Sequence, residues 1–485
     1  MKKLNALTVL GMTTVLTMGL LGGCGSDSGK DTPQTAETSL ETKSSDNGDS
    51  DKAAEGKTTE AGEKDTGKQD TGKQDTEGGK VYYLNFKPEV ADIWEEIMST
   101  YTDETGVQAT VMTAAAGTYE QTLKSEIAKT DAPTLFQVSP VGLDTWKDYC
   151  MDLKDTELYQ HLSNKNQALA SEDTIYAVPY AVEGYGIIYN NKILSDYCAM
   201  DGAKIKSAEE INSFAKLKEV AEDIQAKKDD LGIQGAFAAT GMSPGDDWRW
   251  HTHLMNMPIY YEYKDKGITD AETLDGTYLE NYKQIFDLYL NNSTVEPEML
   301  SSIGTGDSMS EFALGEVAFV QNGDWAWNDI KDNEVAEEDV KFLPIYIGVE
   351  GEENQGLCVG TEAFWCVNSE ASEADQKATL DFVNWLITSD TGKDYMINKL
   401  NFTSPFDTFQ ADEAPGNPLS RQILEYAASD KESVSWAFST MPGDAYKKNL
   451  GAALLEYTQG TGDWDGVKKA LIDEWAKEKS NPTAE

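Results

Sequence analysis

The sequence predicts an α/β fold, in which strands and helices alternate along the chain. Apolar runs rich in β-branched and aromatic residues predict the first three strands, at 81–86, 107–112 and 134–138. Between these strands, apolar residues recur at helical spacing over 90–101 and 119–129. This β-α-β-α-β order is typical of a parallel sheet covered by helices.

A second α/β unit follows further along the chain. Apolar residues at helical spacing predict a helix over 211–224, with Ser207 as its N-cap. A strand at 235–239 comes next, followed by helices at 279–291 and 308–314. The chain therefore carries the α/β pattern twice.

Candidate ligand-binding residues follow the strands of the first unit. Ligands bind to parallel sheets beyond the carboxyl ends of the strands. Lys87 and Ser139 stand at two of these ends, and both are candidates for binding hydroxyl groups.

The charge of the chain excludes one class of partner. The 485 residues include 85 acids and 40 bases, so the formal net charge is −45. Nucleic-acid binding needs clustered Lys and Arg, which makes nucleic acid a poor partner. The 11 Trp and 22 Tyr residues suit sugar binding, although core packing uses most aromatic residues in any protein.

The first 24 residues read as an export signal. Lys2 and Lys3 precede an apolar run that ends in Leu21-Gly22-Gly23-Cys24. A membrane-spanning helix is the alternative, because the run is about long enough. Small residues before a cysteine favour a cleavage site instead. These four residues resemble the bacterial lipobox, which implies that Cys24 becomes a lipidated N-terminus.

The segment 25–79 differs in composition from the rest of the chain. Acidic, small polar and lysine residues dominate it, and Leu40 is its only large apolar residue. Such a segment buries too little surface to offset the entropy of ordering, so we expect a disordered acidic tether. As a flexible coil it would reach roughly 40 Å.

The segment IYAVPYAVEGYGIIYN, at 175–190, is the strongest local signal. It holds two predicted strands, Ile175–Tyr180 and Tyr185–Tyr189, with Glu183 between them. The segment resembles the first crossover of maltose-binding-type extracellular solute-binding proteins of carbohydrate ABC importers. The resemblance rests on Pro179, Ala181, Val182, Glu183, Ile188, Tyr189 and Asn190. It implies a hinge between two lobes, with Glu183 in the cleft accepting hydrogen bonds from sugar hydroxyls.

A second motif, FALGEVAFVQNGDWAWNDI at 312–330, resembles the same family. A strand at 317–321 and a turn at Asn322-Gly323 are predicted before its two tryptophans. The resemblance implies that Trp325 stacks on a sugar ring, whereas we expect Trp327 to pack in the core. Trp248 and Trp250, in an aromatic-rich loop or helix start, are further stacking candidates from the second lobe.

The resemblance also implies the domain layout, a two-lobed periplasmic-binding-protein-like fold with three crossovers. The first lobe is expected to comprise 80–180 and 345–403, and the second 181–344 and 404–485. In this layout the strand at 340–344 returns towards the first lobe.

Other chemistries have weaker support. Cys150, Cys198, Cys358 and Cys366 allow three disulfide pairings or remain buried thiols, and their spacing resembles no zinc site. No metal or cofactor site is expected. A glycosidase needs only two carboxylates, so a tethered extracellular glycoside hydrolase is the alternative function.

The resemblance implies a receptor that captures a sugar without chemical change, and by family analogy the expected sugar is an oligosaccharide. It implies delivery to two ABC permease subunits, and anchoring on the extracytoplasmic face of the cell membrane through lipid on Cys24.

Replacing Cys24 tests the predicted anchor. Cys24→Ala should move the protein from the membrane fraction to the soluble fraction, because two or more acyl chains are needed for stable anchoring. Fractionation followed by immunoblotting measures this, with Cys198→Ala as the control that should stay membrane-bound. Retention of Cys24→Ala in the membrane would contradict lipid anchoring.

Overall fold

A computed structural model describes residues 78–115, 117–409 and 415–480. The predicted export signal, Cys24 and residues 25–77 of the predicted tether lie outside the described residues. Within these ranges, no helix has both the length and the apolar character needed to cross a membrane.

The first sheet has six strands in the order β2-β1-β3-β11-β5-β4. Strands β1, β2 and β3 are parallel, as the β-α-β-α-β pattern predicts, and β11 is antiparallel to β3 and β5. Their bounds are Lys80–Asn85 (β1), Gln108–Thr113 (β2), Leu135–Val138 (β3), Leu169–Ser171 (β4), Thr174–Pro179 (β5) and Phe364–Val367 (β11).

The second sheet runs β12-β10-β6-β8-β7, and β9 also pairs with β6. Its central strand, β6, is buried along its whole length and is antiparallel to β8, β9 and β10. The bounds are Glu183–Asn190 (β6), Gly235–Phe237 (β7), Val317–Gly323 (β8), Val340–Leu343 (β9), Gln355–Gly360 (β10) and Glu432–Ser435 (β12).

Helices cover both sheets. In the described part of the chain they are Ala91–Thr105 (α1), Tyr119–Ile127 (α2), Leu143–Trp146 (α3), Glu157–Gln160 (α4), Asn191–Cys198 (α5), Phe214–Ala226 (α6), Lys228–Leu231 (α7), Asn256–Lys266 (α8), Leu279–Asn291 (α9), Thr305–Ala313 (α10), Trp327–Ile330 (α11), Glu373–Thr388 (α12), Asp390–Asp394 (α13), Pro418–Ala428 (α14), Asp444–Thr458 (α15) and Trp464–Ser480 (α16). A π-helix at Arg249–Leu254 precedes α8.

Each sheet has its own apolar core, which divides the molecule into two lobes. Trp94, Trp365 and Phe382 are fully buried in the first-lobe core. Tyr185, Phe286 and Trp475 are fully buried in the second-lobe core. The mixed α/β, two-lobed fold predicted from the sequence is confirmed.

Three local predictions are wrong. Residues 355–360 form β10 of the second sheet, so the chain returns to the first lobe between Gly360 and Phe364 rather than at 345. Ser213, not Ser207, caps α6 by accepting a hydrogen bond from Lys216 N. Asn322 and Gly323 continue β8 instead of forming a turn, because they pair with β6.

The three crossovers lie side by side. Val182 N donates to Thr403 O at 2.8 Å, which joins the first and third crossovers. Thr361 Oγ1 donates to Ala181 O at 2.9 Å, which joins the second to the first. The lobes are therefore connected through one narrow, hydrogen-bonded band.

Candidate binding site between the lobes

Glu183 is the first residue of β6, where the chain enters the second lobe. The strand pairing sets Glu183 opposite Gly360 of β10, and its side chain is 7% exposed. Its carboxylate oxygen Oε1 lies 2.7 Å from the ammonium of Lys87. The sequence proposed both residues for the site, and the structure brings them together as a buried ion pair.

Lys87 is held by the first lobe just beyond β1. Asn85 fixes this turn in both directions, because its Oδ1 accepts from Lys87 N and its Nδ2 donates to Lys87 O. Burial lowers the pKa of Lys87, but the carboxylates of Glu183 and Glu89 more than offset this, so its pKa stands well above its usual value. The side chain is therefore charged across the physiological pH range.

Trp325 lies in a short 3-10 turn, Asp324–Ala326, directly after β8. The indole is partly exposed and folds back over Gly323. A Cβ at position 323 would lie 2.2 Å from the indole ring, so glycine there is required for this arrangement. The ammonium of Lys87 is 5.6 Å from the indole centroid, within the range of a cation–π contact.

An aromatic layer supports Trp325 from the second lobe. Trp248 is half-buried at 6.2 Å from Trp325, and both rings contact His253. His253 is stacked on Tyr185 at 4.3 Å and an interplanar angle of 11°. Burial, together with the charge of His251, Lys87 and other cations, holds the pKa of His253 well below its usual value. The imidazole is therefore neutral at pH 7.

A small cavity of about 10 Å³ lies between the lobes beside Glu183 and Trp325, with room for about one water molecule. It is lined by Glu89, Val90, Glu183, Asp324, Trp325, Asn328, Leu400, Asn401 and Phe402. The lining combines carboxylates and amides with one exposed aromatic face, so it offers hydrogen-bond acceptors and donors next to a stacking surface.

Asp324 is a site residue that sequence reasoning missed. Its Oδ1 accepts from Gly184 N at 3.3 Å, and its Oδ2 accepts from Ser420 Oγ at 2.7 Å. Burial and, next, the charge of Glu183 raise the pKa of Asp324 to about 7, although the hydrogen bonds from Ser420 and Gly184 act in the opposite direction. Asp324 thus links β6, β8 and α14 behind the cavity. Its only signal in the sequence is an acid inside the Gly-Asp-Trp stretch.

Two candidates lie away from this cavity. Ser139 accepts a hydrogen bond from Gly142 N at 3.1 Å and so stabilises the turn after β3. Trp250 is buried in the second-lobe core, where it contacts Phe286 and its Nε1 donates to Gly241 O at 2.9 Å. We therefore leave both residues out of the site.

The remaining tryptophans of interest pack within the lobes. Trp327 is buried among apolar residues of the second lobe, as expected. Trp365 is fully buried in the first-lobe core and stacks on Tyr180 at 5.2 Å. Trp436 is buried and lies 6.3 Å from His253, so it extends the aromatic layer.

Cysteine and metal chemistry lie outside this site. Cys150, Cys198, Cys358 and Cys366 are free thiols in the structure, and burial raises the pKa of Cys358 to about 12. Within the described ranges, no cluster of His, Cys, Asp and Glu has the arrangement to hold a metal ion.

Two α/β lobes joined by three crossovers, with a polar and aromatic site between them, define the class of two-lobed binding proteins. Residues 96–418 match the family model of the bacterial extracellular solute-binding proteins, and the chain belongs to this family. Members of the family are generally non-enzymatic carriers.

Solved structures share this fold at low sequence identity. The RafE protein in complex with raffinose is 18% identical, with a TM-score of 0.63, covering 82% of this chain and 99% of that one. The GacH receptor of Streptomyces glaucescens is 17% identical, with a TM-score of 0.63, covering 84% and 100%. A sugar transporter from Bacillus licheniformis in complex with stachyose is 17% identical, with a TM-score of 0.61, covering 82% and 100%. No curated protein sequence matches the chain.

The pKa of Asp324 predicts a pH-dependent stability. Its ordinary value is 3.8 and its folded value is about 7, so between these values the unfolded state loses the proton while the folded state keeps it. This contribution destabilises the fold as pH rises from 3.8 to 7. Asp324→Asn should therefore match wild type near pH 3.5 and exceed it by about 2–4 kcal/mol at pH 8.

Urea unfolding at pH 3.5, 6 and 8 measures this difference. Asp381→Asn is the matched control, because Asp381 is exposed on α12 and pairs with Lys377. A free-energy difference between Asp324→Asn and wild type that stays constant with pH would contradict the assignment.

Proposed function

We propose that this protein is a receptor that captures a sugar, specifically an oligosaccharide, and delivers it unchanged to an ABC importer. The observation that carries the proposal is that the partly exposed indole of Trp325 and the carboxylate of Glu183 line the same cavity between the lobes. The family membership supports solute capture, and the raffinose- and stachyose-bound relatives in fold support sugar as the solute.

The chemistry of the cavity matches a pyranose. The indole of Trp325 offers a flat apolar face to the C–H groups of a sugar ring. Glu183 accepts hydrogen bonds from hydroxyls, and such charge-assisted bonds are stronger than neutral ones. Lys87 supplies a donor from the first lobe, and Trp248 supports the stacking face from the second. A sugar held this way contacts both lobes.

Capture is coupled to closure of the lobes. Closure about short hinge segments is an established mode of switching. A ligand drives it only by binding the closed form better than the open one. A sugar between Lys87 of the first lobe and Trp325 of the second makes contacts that exist only when the lobes are together, which supplies this preference.

The proposal also includes how the receptor is anchored to the membrane and what it docks on. Lipid on Cys24 would hold it on the extracytoplasmic face of the cell membrane, and the segment 25–79 would keep the folded lobes near the importer. The closed form would dock on two permease subunits. These features come from the sequence resemblance.

The hydrolase alternative requires an acid and a base with free oxygens. Glu183 and Asp324 are neighbouring carboxylates, and a pKa of about 7 suits an acid. Both oxygens of Asp324, however, are engaged by Gly184 N and Ser420 Oγ. This occupancy favours a structural role for Asp324 and therefore favours the receptor.

Removing the indole tests the stacking role. Trp325→Ala should weaken sugar binding by at least tenfold, because stacked aromatic surface dominates the contact area of such sites. Isothermal calorimetry measures the affinity, and Trp325→Phe is the control that keeps a flat ring and should retain most of it. Unchanged affinity in Trp325→Ala, with an unchanged melting temperature, would refute the role of Trp325.

An oligosaccharide panel separates receptor from hydrolase. Fragments of starch, xylan, mannan and galactan, together with raffinose and stachyose, are incubated with the protein. A receptor raises its melting temperature with one of them, because a ligand bound only to the folded state adds stability. Chromatography should then recover that sugar intact, whereas shortened products would establish the hydrolase.

A further inference from the structure

Two of the cysteines lie together in the first lobe. Cys150 directly follows the 3-10 turn Lys147–Tyr149, and Cys366 lies in β11. Both are buried members of one apolar cluster, which they share with Leu84 and Phe136. The sequence alone allowed three pairings among four cysteines, whereas the fold brings these two into a single core.

The backbone sets the register between the two cysteines. Cys150 forms an antiparallel bridge with Asn368, which is two residues after Cys366. Met151 N donates to Val367 O at 2.8 Å, and this bond fixes the register beside the bridge. Because side chains alternate between the two faces of a strand, Cys366 and Asn368 share one face of β11. Cys150 and Cys366 are therefore diagonal neighbours on that face.

The thiols of this pair have only weak hydrogen bonds of their own. Cys150 Sγ donates to Trp146 O at 3.4 Å, and Cys366 Sγ donates to Tyr176 O at 3.3 Å. A thiol is a weak donor, so little is lost when these contacts are given up. Burial and, next, the adjacent Cys150 thiol raise the pKa of Cys366 well above its ordinary value.

The other two cysteines have different surroundings in the second lobe. Cys358 lies in the second-lobe core, where its Sγ is 3.5 Å from the sulfur of Met257. Cys198 ends α5 and is partly exposed, and the charges of Glu210 and Lys206 act on its thiol. Cys358 and Cys198 therefore have no neighbours in common among these residues.

From this arrangement we propose that Cys150 and Cys366 form a disulfide in the exported protein. The family to which the chain belongs is extracellular, and disulfides form and persist in proteins outside the cytoplasm. The proposal goes beyond the proposed function and does not depend on it, because it concerns how the first lobe is held together.

A small-molecule or protein disulfide serves as the oxidant. The thiolate of Cys150 attacks it first, since Cys150 is 6% exposed and Cys366 is fully buried. The S–S bond of the oxidant breaks, and one thiolate leaves. The thiolate of Cys366 then attacks the Cys150 sulfur and displaces the second. The protein pair loses two electrons to the oxidant, and its two protons end on the two released thiols.

This bond would join the two separate parts of the first lobe. The chain leaves the first sheet after β5 and returns to it at β11, and strands β6 to β10 of the second sheet lie between them. Cys150 precedes this excursion and Cys366 follows it, so the disulfide closes a loop of roughly 200 residues. Closing so long a loop removes much of the entropy of the unfolded chain.

Cleavage within the second lobe tests the link directly. A site for a sequence-specific protease is inserted after Glu272, which is exposed in the connection between α8 and α9 of the full-length chain. The exported protein is isolated without reductant, its free thiols are blocked with iodoacetamide, and it is cleaved. The two halves should migrate together on a denaturing gel and separate after dithiothreitol. Separation without dithiothreitol would overturn the proposal.

Cysteine variants assign the link to this pair. The halves of Cys150→Ala/Cys366→Ala should separate without reductant, and those of the matched control Cys198→Ala should stay linked. Mass spectrometry of the uncleaved wild type should find the peptide of Cys150 joined to that of Cys366. Halves that remain linked in the double variant would place the disulfide elsewhere and refute the assignment.

Thermal unfolding tests the contribution of the disulfide to stability. Wild type reduced in urea and refolded in dithiothreitol should melt about 3 °C or more below the oxidised protein, because the reduced chain regains its loop entropy on unfolding. The Cys150→Ala/Cys366→Ala variant should melt at one temperature under both treatments. Equal melting temperatures for oxidised and reduced wild type would contradict the stabilising role. None of these measurements uses a sugar, so their outcome is separate from that of the oligosaccharide panel.

Discussion

The two lobes depend on a narrow band of backbone hydrogen bonds where the chain passes between them. Val182 bonds to Thr403, and Thr361 bonds to Ala181, so the three crossovers move as one unit. Three separate strands placed far apart would fix the lobes rigidly, whereas adjacent strands leave a single axis for bending. Glu183 begins immediately after this band. Its carboxylate is therefore close to the axis of bending, where it forms its ion pair with Lys87 of the first lobe.

Burial and neighbouring charges set the protonation states of the ionisable groups in the site. Lys87 keeps its proton because two carboxylates surround it, and Asp324 holds its proton to about pH 7 because it is buried beside Glu183. Burial also acts on His253, where it favours loss of the proton because the protonated imidazole is the charged form, and the nearby cations add to this effect. The resulting site pairs one buried cation with two carboxylates beside a neutral aromatic layer. Such an arrangement suits a ligand that is polar but uncharged.

The sequence was informative where local pattern and tertiary structure agree. The helix at 279–291 has the predicted bounds, because its apolar spacing matches the face that it buries. Strand β10 escaped prediction, since QGLCVG has little of the apolar alternation that marks a strand. The π-helix explains the tryptophan pair: Trp248 precedes it and stays half-buried, whereas Trp250 lies within it and turns into the core. Asp324 is buried because β6, β8 and α14 pack together around it. These elements are far apart in the sequence, so no local pattern predicts this contact.

Gly323 has a consequence for how this site can change during evolution. Any side chain at that position would collide with the indole of Trp325, so the position of the indole depends on glycine at the end of β8. On the first-lobe side, Val90 and Leu400 line the cavity, and no lining residue there is a glycine held against a ring. New ligand preferences can therefore arise by substitution of the residues that line the cavity from the first lobe, while Gly323 and Trp325 stay unchanged. Diversification of a binding cleft then proceeds from one side only.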